Sequence, residues 1–373
     1  MSSDEALQGR PAPTPVAPRV VAVLIARNEE ANIAVSIESA LRALGSARAD
    51  RLVDEFEVVL VDSASTDHTV SIALRYPITI LRLPSSWALS AAAGRYIGFR
   101  HTSAPLVLFL DGDEELQPGW LRNALELLRS PDVAAVAGQE IEASPGTTVI
   151  AQKYRSAQRP DNLPKTIALT DSMCSGVFKR EAIEEVGGIQ PFLKAAEDRD
   201  LGIRLRAAGW RLLVMPEVMA KHRWSDARPF GYLDYFRSVA LWSFGEGQVF
   251  RYRFRNRALR SYYLSRYVNL RYAFNFLALM ILSSLGVANA LAILSPAIAL
   301  PVLGADGVAL LTLAGIRRGR GWSWRELAYE FHAIPYSIIR YAAFLCGMLR
   351  YTPPASRYPL NAEVIRSGPV TSW

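Results

Sequence analysis

The chain has 373 residues, 50% of them hydrophobic, 10% aromatic and 21% charged, with a mean hydropathy of +0.11 and a formal net charge of +7. This is ample for one catalytic domain plus an appendage, and it excludes a chain that is disordered throughout. The two cysteines, Cys174 and Cys346, lie far apart without metal-ligand spacing, which excludes a disulfide scaffold or zinc ribbon and fits a reduced compartment.

Residues 1–18 are rich in Pro, Ala and Ser and lack a positive segment followed by an apolar core, so they are predicted to be a disordered leader with no secretory signal. The run Val20-Val21-Ala22-Val23-Leu24-Ile25 is apolar and β-branched, and a polar loop, Ala26-Arg27-Asn28-Glu29-Glu30, separates it from apolar residues at helical spacing from Ile33. Phe56 to Val61 repeats the plan and ends in Asp62, and Ser63 to Thr69 then offers N-caps for a helix from about Val70 to Arg75. A third strand is expected over Ile78 to Leu83. Strands alternating with helices argue for a mostly parallel sheet covered on both faces.

The next strand, Leu106 to Leu110, delivers Asp111-Gly112-Asp113 to its carboxyl end, where ligands bind in open α/β sheets. Gly112 is expected to let the chain turn so that both carboxylates face one ion. Oxygen ligands of this kind suit Mg2+ or Mn2+ held jointly with substrate phosphates. Further on, Glu197-Asp198 opens a helix, and the strand Arg211 to Met215 precedes His222.

Four segments in this order and spacing, Ile25 to Glu30, Val61 to Thr69, Phe109 to Asp113 and Ala196 to Asp198, resemble the motifs of family-2 inverting glycosyltransferases with a GT-A fold. The resemblance covers roughly residues 18 to 223. It implies a Rossmann-like α/β domain that uses a nucleotide-sugar donor, with a UDP-sugar favoured. Asp62 would accept a hydrogen bond from the donor base, with Arg27 and Glu29 beside it, and Arg95 would touch donor phosphate or ribose. Asp111 and Asp113 would hold the metal, with His222 as a further ligand, and Glu197 would line the substrate side. Asp198 would be the catalytic base that takes the acceptor hydroxyl's proton. Read from the residues alone, helix capping remains the alternative for Asp62, an acidic helix start for Asp198, and a hydrogen-bonded structural role for His222.

From Ala273 to Ile316 the only ionisable residue is Asp306, over a stretch about twice the ~20 residues that one bilayer crossing needs. A transmembrane hairpin over 273–316 is therefore expected, with a basic amphipathic interfacial segment at 226–272 before it and an interfacial helix and tail at 317–373 after it. The catalytic domain takes 19–225. Arginines on both flanks place both ends on the cytoplasmic side, and the interleaved Tyr252, Phe254, Tyr262, Tyr263 and Tyr267 suit a lipid interface better than nucleic acid.

The expected protein is thus a metal-dependent transferase at the inner membrane, acting on a lipid-linked or cell-envelope acceptor. The alternatives are a processive polysaccharide synthase, for which Gln248-Val249-Phe250-Arg251-Tyr252 is a near match to the polymerising motif, or a silent membrane scaffold. A nucleotidyltransferase is excluded because Ala26 to Glu30 is not a glycine-rich phosphate loop.

Overall fold

In the chain's computed structural model, β1 (Val20–Ala26), α1 (Ile33–Ala49), β2 (Phe56–Asp62), α2 (Thr69–Ala73), β3 (Thr79–Arg82), α3 (Ala91–His101) and β4 (Leu106–Asp111) form the first half of the fold. The structure describes residues 18–142, 166–223, 232–267, 336 and 339–369. β1 is buried along its whole length, as a β-branched strand must be when parallel neighbours flank it and helices cover both faces. β2 lies on one side of it and β4 on the other, so the strand order reverses at β1. Right-handed crossovers then put α3 on the sheet face opposite α1 and α2. The crevice at such a switch point is where an open α/β sheet binds ligands.

Register brings the acids together. Ala26 pairs with Asp62 and Ile25 with Asp111, so the two carboxylates flank the end of β1. Ser90 caps α3, its side chain accepting from the Ala93 amide. The small residues that follow let α3 lie close to the sheet, and a Cβ added at Gly98 would stand 2.2 Å from Val23 Cγ1.

The second half comprises β5 (Glu114–Leu116), α4 (Trp120–Leu127), β6 (Val133–Glu142), β7 (Ala168–Leu169), β8 (Gly176–Lys179), α5 (Arg180–Glu185), α6 (Glu197–Ala207) and β9 (Arg211–His222). Together with β10 (Glu363–Arg366) the strands form one sheet in the order β10-β3-β2-β1-β4-β8-β6-β9-β5, with β7 on β9. The expectation of a mostly parallel sheet needs correction. β1, β2, β3 and β4 are parallel, but β8 runs antiparallel between β4 and β6, and β5, β7 and β10 are also antiparallel to their partners. β8 follows β4 only after β5, α4, β6 and β7, so no single strand–helix–strand crossover links the two and nothing imposes a parallel alignment on them.

The C-terminal helices belong to this body. α7 (Tyr232–Tyr252), α8 (Arg257–Tyr267) and a helix over 339–349, α9, share a second apolar cluster with α3 and α6, in which Val249, Phe250, Leu259, Tyr263 and Phe344 meet Ala92, Leu193 and Ile203. The interfacial helix expected after 317 is therefore, over 339–349, packed against protein along one side. The tail is also amended, since β10 returns to cover the β3 edge. Among the described residues no helix is long and apolar enough to cross a membrane. The hairpin expected at 273–316 and the leader at 1–17 lie outside the described residues.

Because α3 rests on Val23 and Val61 without slack, Gly98→Ala should cost about 1–3 kcal/mol of stability through overpacking. Urea unfolding of the two proteins measures this difference, and equal midpoints would show that α3 can shift at little cost.

Candidate active site

Two loops form the floor of the cleft, and each supplies the other's hydrogen bonds. The Asn28 amide donates to Ser65 Oγ at 2.9 Å, Glu29 to Thr69 Oγ1 at 2.8 Å and Glu30 to Asp67 Oδ2 at 3.0 Å. In return the Thr66 amide donates to Asn28 Oδ1 and the His68 amide to Glu30 Oε2. This mutual support maintains left-handed backbone at Asn28 and at Ala64, a conformation that costs a residue with a Cβ of order 1–3 kcal/mol.

Asp62, at the end of β2, is fully buried. Its Oδ2 accepts from the Ser65 amide at 3.1 Å and stands 3.5 Å from Arg82 Nε, while Oδ1 has no hydrogen-bond partner among the described residues. A buried carboxylate oxygen left open in this way is suited to accept an N–H from a ligand. The capping alternative is partly realised, because Asp62 holds the Ser65 turn, although α2 begins later, at Thr69.

Arg27 and Glu29 line a cleft of about 290 Å³ together with Leu89, Ser90, Asp111 and Asp113. Glu29 accepts from Asn32 Nδ2 at 3.0 Å, and burial raises its pKa. Gly112 is needed for a different reason from the one expected. It has no positive φ; instead, an added Cβ would stand 2.8 Å from Ala26 Cβ, so close approach to β1 requires glycine.

Arg95 lies at the centre of the site rather than on a solvated helix face. It is 5% exposed, with Nη2 donating to Asp111 Oδ1 at 2.6 Å and Nη1 to Glu197 Oε1 at 2.7 Å. In this structure its contacts are with protein carboxylates, and it joins the end of β4 to the start of α6. Asp113 Oδ2 faces His222 Nε2 at 3.3 Å, because β5 pairs with β9 and brings the end of β9 alongside the acidic turn. Burial, reinforced by Asp111 and Glu29, pushes the Asp113 pKa up to about 8. Burial likewise raises Glu197 to about 7 despite Arg95, and raises Glu114 well above its ordinary value.

Asp198 stands in the first turn of α6, whose N-cap, Ala196, is left-handed and makes no side-chain cap. The Asp198 carboxylate accepts from Ser172 Oγ rather than capping the helix. Two further charged residues of α6, Asp200 and Arg199, could pair within the helix. Asp200 does so with Arg204 at 2.6 Å but also meets Arg253 at 3.0 Å, whereas Arg199 reaches across to Glu246 of α7, which Arg340 of α9 also approaches at 3.7 Å.

Three contributors were not assigned from the sequence. Glu114 Oε2 accepts both the Asp111 amide and Ser175 Oγ, which shapes the acidic turn. Its signal was a third acid directly after Asp113. Ser172 and Arg82 carried no local signal, because their partners are supplied by distant strands and helices.

A divalent cation suits this donor set. Acidic groups crowd the cleft, Asp113 is buried among like charges, and a carboxylate–imidazole pair converges at its mouth. Among the described residues no group of three or more His, Cys, Asp or Glu could by itself hold a metal.

Comparison with known proteins accords with this geometry. The family model for glycosyl transferase family 2 matches residues 21–187, and that for glycosyl transferase family group 2 matches residues 106–314, more than half of the chain. The chain belongs to glycosyltransferase family 2. This glycosyltransferase is 26% identical over 54% of its length to glycosyltransferase AglE of Haloferax volcanii, covering 66% of that protein. It is 28% identical over 44% of its length to the pre-mycofactocin glycosyltransferase of Mycobacterium tuberculosis, covering 37% of it, and 25% identical over 44% of its length to the O-antigen chain rhamnosyltransferase WbaN of Salmonella anatum, covering 56% of it. The matches thus span between about a third and two thirds of these relatives. In fold it is similar to the mannosyltransferase PcManGT of Pyrobaculum calidifontis, solved with GDP-Man and Mn2+, at a TM-score of 0.54 and 20% identity over 88% of this chain and 87% of that one.

The raised carboxyls have a consequence for stability. A carboxyl whose folded pKa exceeds its unfolded value binds more protons when folded, so its contribution is complete below the unfolded value and lost as pH rises through the folded one. For Asp113 that window runs from about 4 to about 8. Urea stability of the cation-free enzyme should therefore fall across this range, and Asp113→Asn should flatten the slope. An unchanged slope would remove Asp113 as its source.

Proposed function

We propose that this glycosyltransferase moves a single sugar, with inversion, from a nucleotide-sugar donor to a lipid-linked or cell-envelope acceptor. The observation that carries the reading is the Arg95 bridge, which sets the acidic turn at the end of β4 against the start of α6, where Asp198 stands. In this reading the donor-side acids and Asp198 would face one cleft.

The donor base would meet the open Oδ1 of Asp62, with Arg27 and Glu29 along the cleft wall. Asp113, Asp111 and His222 would hold Mg2+ or Mn2+, which when bound neutralises charge gathering on the leaving diphosphate. Asp198 would accept the proton of the attacking hydroxyl, with Ser172 fixing the orientation of its carboxylate. Inversion needs this one base and no covalent intermediate.

Single-sugar transfer is favoured over polymerisation by the use made of the near-match motif. Gln248 Oε1 accepts from the Lys194 amide at 3.0 Å, and Arg251 donates to the carbonyls of Met348 and Leu349, so both residues serve helix packing. An envelope acceptor is consistent with the name of the O-antigen relative.

We also place the enzyme at the cytoplasmic face of the inner membrane. The support is the apolar stretch 273–316, the arginines on both sides of it, and exposed Leu233, Leu241, Trp242 and Leu349 on the helices that flank it in sequence, with exposed Phe254 in the turn after α7.

A screen of UDP- and GDP-linked sugars with Mn2+ or Mg2+, scoring hydrolysis and transfer, tests the activity. Within it, Asp198→Asn should retain donor binding and lose about 10²–10⁴-fold in transfer, and near-wild-type transfer would overturn the base assignment. Full-length protein should sediment with membranes and require detergent for extraction; recovery in the soluble fraction without detergent would count against the membrane placement.

A further inference from the structure

The end of the chain lies against the outer side of the donor cleft. After α9 the chain returns to the first half of the sheet, where β10 pairs with β3 through Glu363 with Arg82 and Val364 with Leu81. Arg366 Nη1 donates to the Leu74 carbonyl at 2.8 Å, and the Gly368 amide to Thr79 Oγ1 at 3.0 Å. Just before β10, Tyr358 is 3% exposed and meets three rings edge-on, with centroids 5.6 Å away at Trp87, 5.9 Å at Tyr96 and 5.1 Å at Phe192. Its hydroxyl donates to the Ala88 carbonyl at 3.0 Å. Two further bonds hold the same stretch, from Tyr96 Oη to the Ala355 carbonyl at 3.3 Å and from Gln190 Nε2 to the Pro353 carbonyl at 3.1 Å.

These contacts fall on the wall of the cleft. Leu89, Ser90 and Ala91 line it, and they follow directly from Trp87 and Ala88. Residues 84–90 contain no helix or strand, so the wall depends on side chains brought from elsewhere. Lys194 Nζ donates to the Leu89 carbonyl, Ser90 Oγ to the Pro191 carbonyl, and Tyr358 to Ala88. Ser90 is also the cap of the helix that carries Arg95. On its other flank β10 backs Arg82, which donates to the Ser65 carbonyl at 2.9 Å and stands beside Asp62. The returning segment thus touches both the wall and the residue behind the base-facing aspartate.

We propose that residues 351–369 form a brace that holds the donor-side wall in its binding shape, with Tyr358 as its positioning residue. The inference rests on the donor reading of the cleft. Tyr358 touches no reacting atom. Its ring packs the wall loop against Phe192 and Tyr96, and its hydroxyl fixes the carbonyl immediately before the lining residues. Pre-organising a loop in its bound form raises affinity without altering the chemical step. The effect therefore belongs in donor KM and leaves kcat in place.

The test uses the full-length enzyme and two variants. Tyr358→Phe keeps the ring and removes only the hydroxyl bond, and Tyr358→Ala removes both. Amide exchange is followed in peptides covering residues 84–95, with 106–111 in the central strand β4 as the reference for global opening. Donor KM and kcat are measured with whichever UDP- or GDP-sugar the wild type turns over.

For Tyr358→Phe we expect exchange over 87–91 to quicken about 2- to 10-fold, the loss of one hydrogen bond. Donor KM should rise by a similar factor, with kcat held within about twofold. Tyr358→Ala should enlarge both effects while Phe restores most of them. Wild-type exchange and KM in Tyr358→Phe would overturn the brace, as would a loss confined to kcat. If the wild type turned over no nucleotide-sugar, the donor reading would fail while the exchange measurement still decided whether Tyr358 holds the loop.

Discussion

A guanidinium with almost no access to water must be matched by negative charge in direct contact, since an unpaired buried ion costs several kcal/mol. Arg95 meets that condition only where the end of β4 and the start of α6 come within reach together. Its two short bonds therefore fix the acidic turn relative to the start of α6, where Asp198 stands. Arg95 itself is held in place by α3, whose Ala- and Gly-rich face lies close against β1 and β2. The chemistry of the site depends on that close packing.

Around this bridge the cleft stores unfavourable energy. Glu29, Asp113, Glu114 and Glu197 are each buried enough to raise their pKa values, and Asn28, Ala64 and Ala196 hold left-handed backbone in the loops that carry the site. Reciprocal hydrogen bonds between the 27–30 and 63–69 loops offset part of the backbone strain. In the proposed reading, a bound cation would relieve the electrostatic part.

The helix that carries Asp198 is tied to the C-terminal helices by buried ions. Arg199 follows Asp198 directly and pairs with Glu246, which Arg340 also approaches, while Asp200 binds Arg204 and Arg253. Removing one partner from such a cluster leaves an uncompensated charge, so α6 and α7 are constrained to move together. The helices expected to serve only a membrane surface thus also support the helix that carries Asp198.

The sequence by itself determined the first half of the sheet, the order of the motifs and the acids that end β2 and β4, because buried parallel strands and the loops that follow them leave strong local patterns in hydrophobicity and turn residues. It also marked Asp198 as a candidate through its place in the motif order, and His222 as one of only four histidines, following the strand from Arg211. Tertiary structure alone decided what those acids touch. The pairing of Arg95 with Asp111 and Glu197, of Ser172 with Asp198 and of Tyr358 with Ala88 joins residues far apart in the chain, and no local periodicity encodes a partner that distant. The antiparallel β8 and the return of β10 to β3 were hidden for the same reason, since a short strand shows its alternation but not the direction or identity of its neighbour, which long-range packing selects.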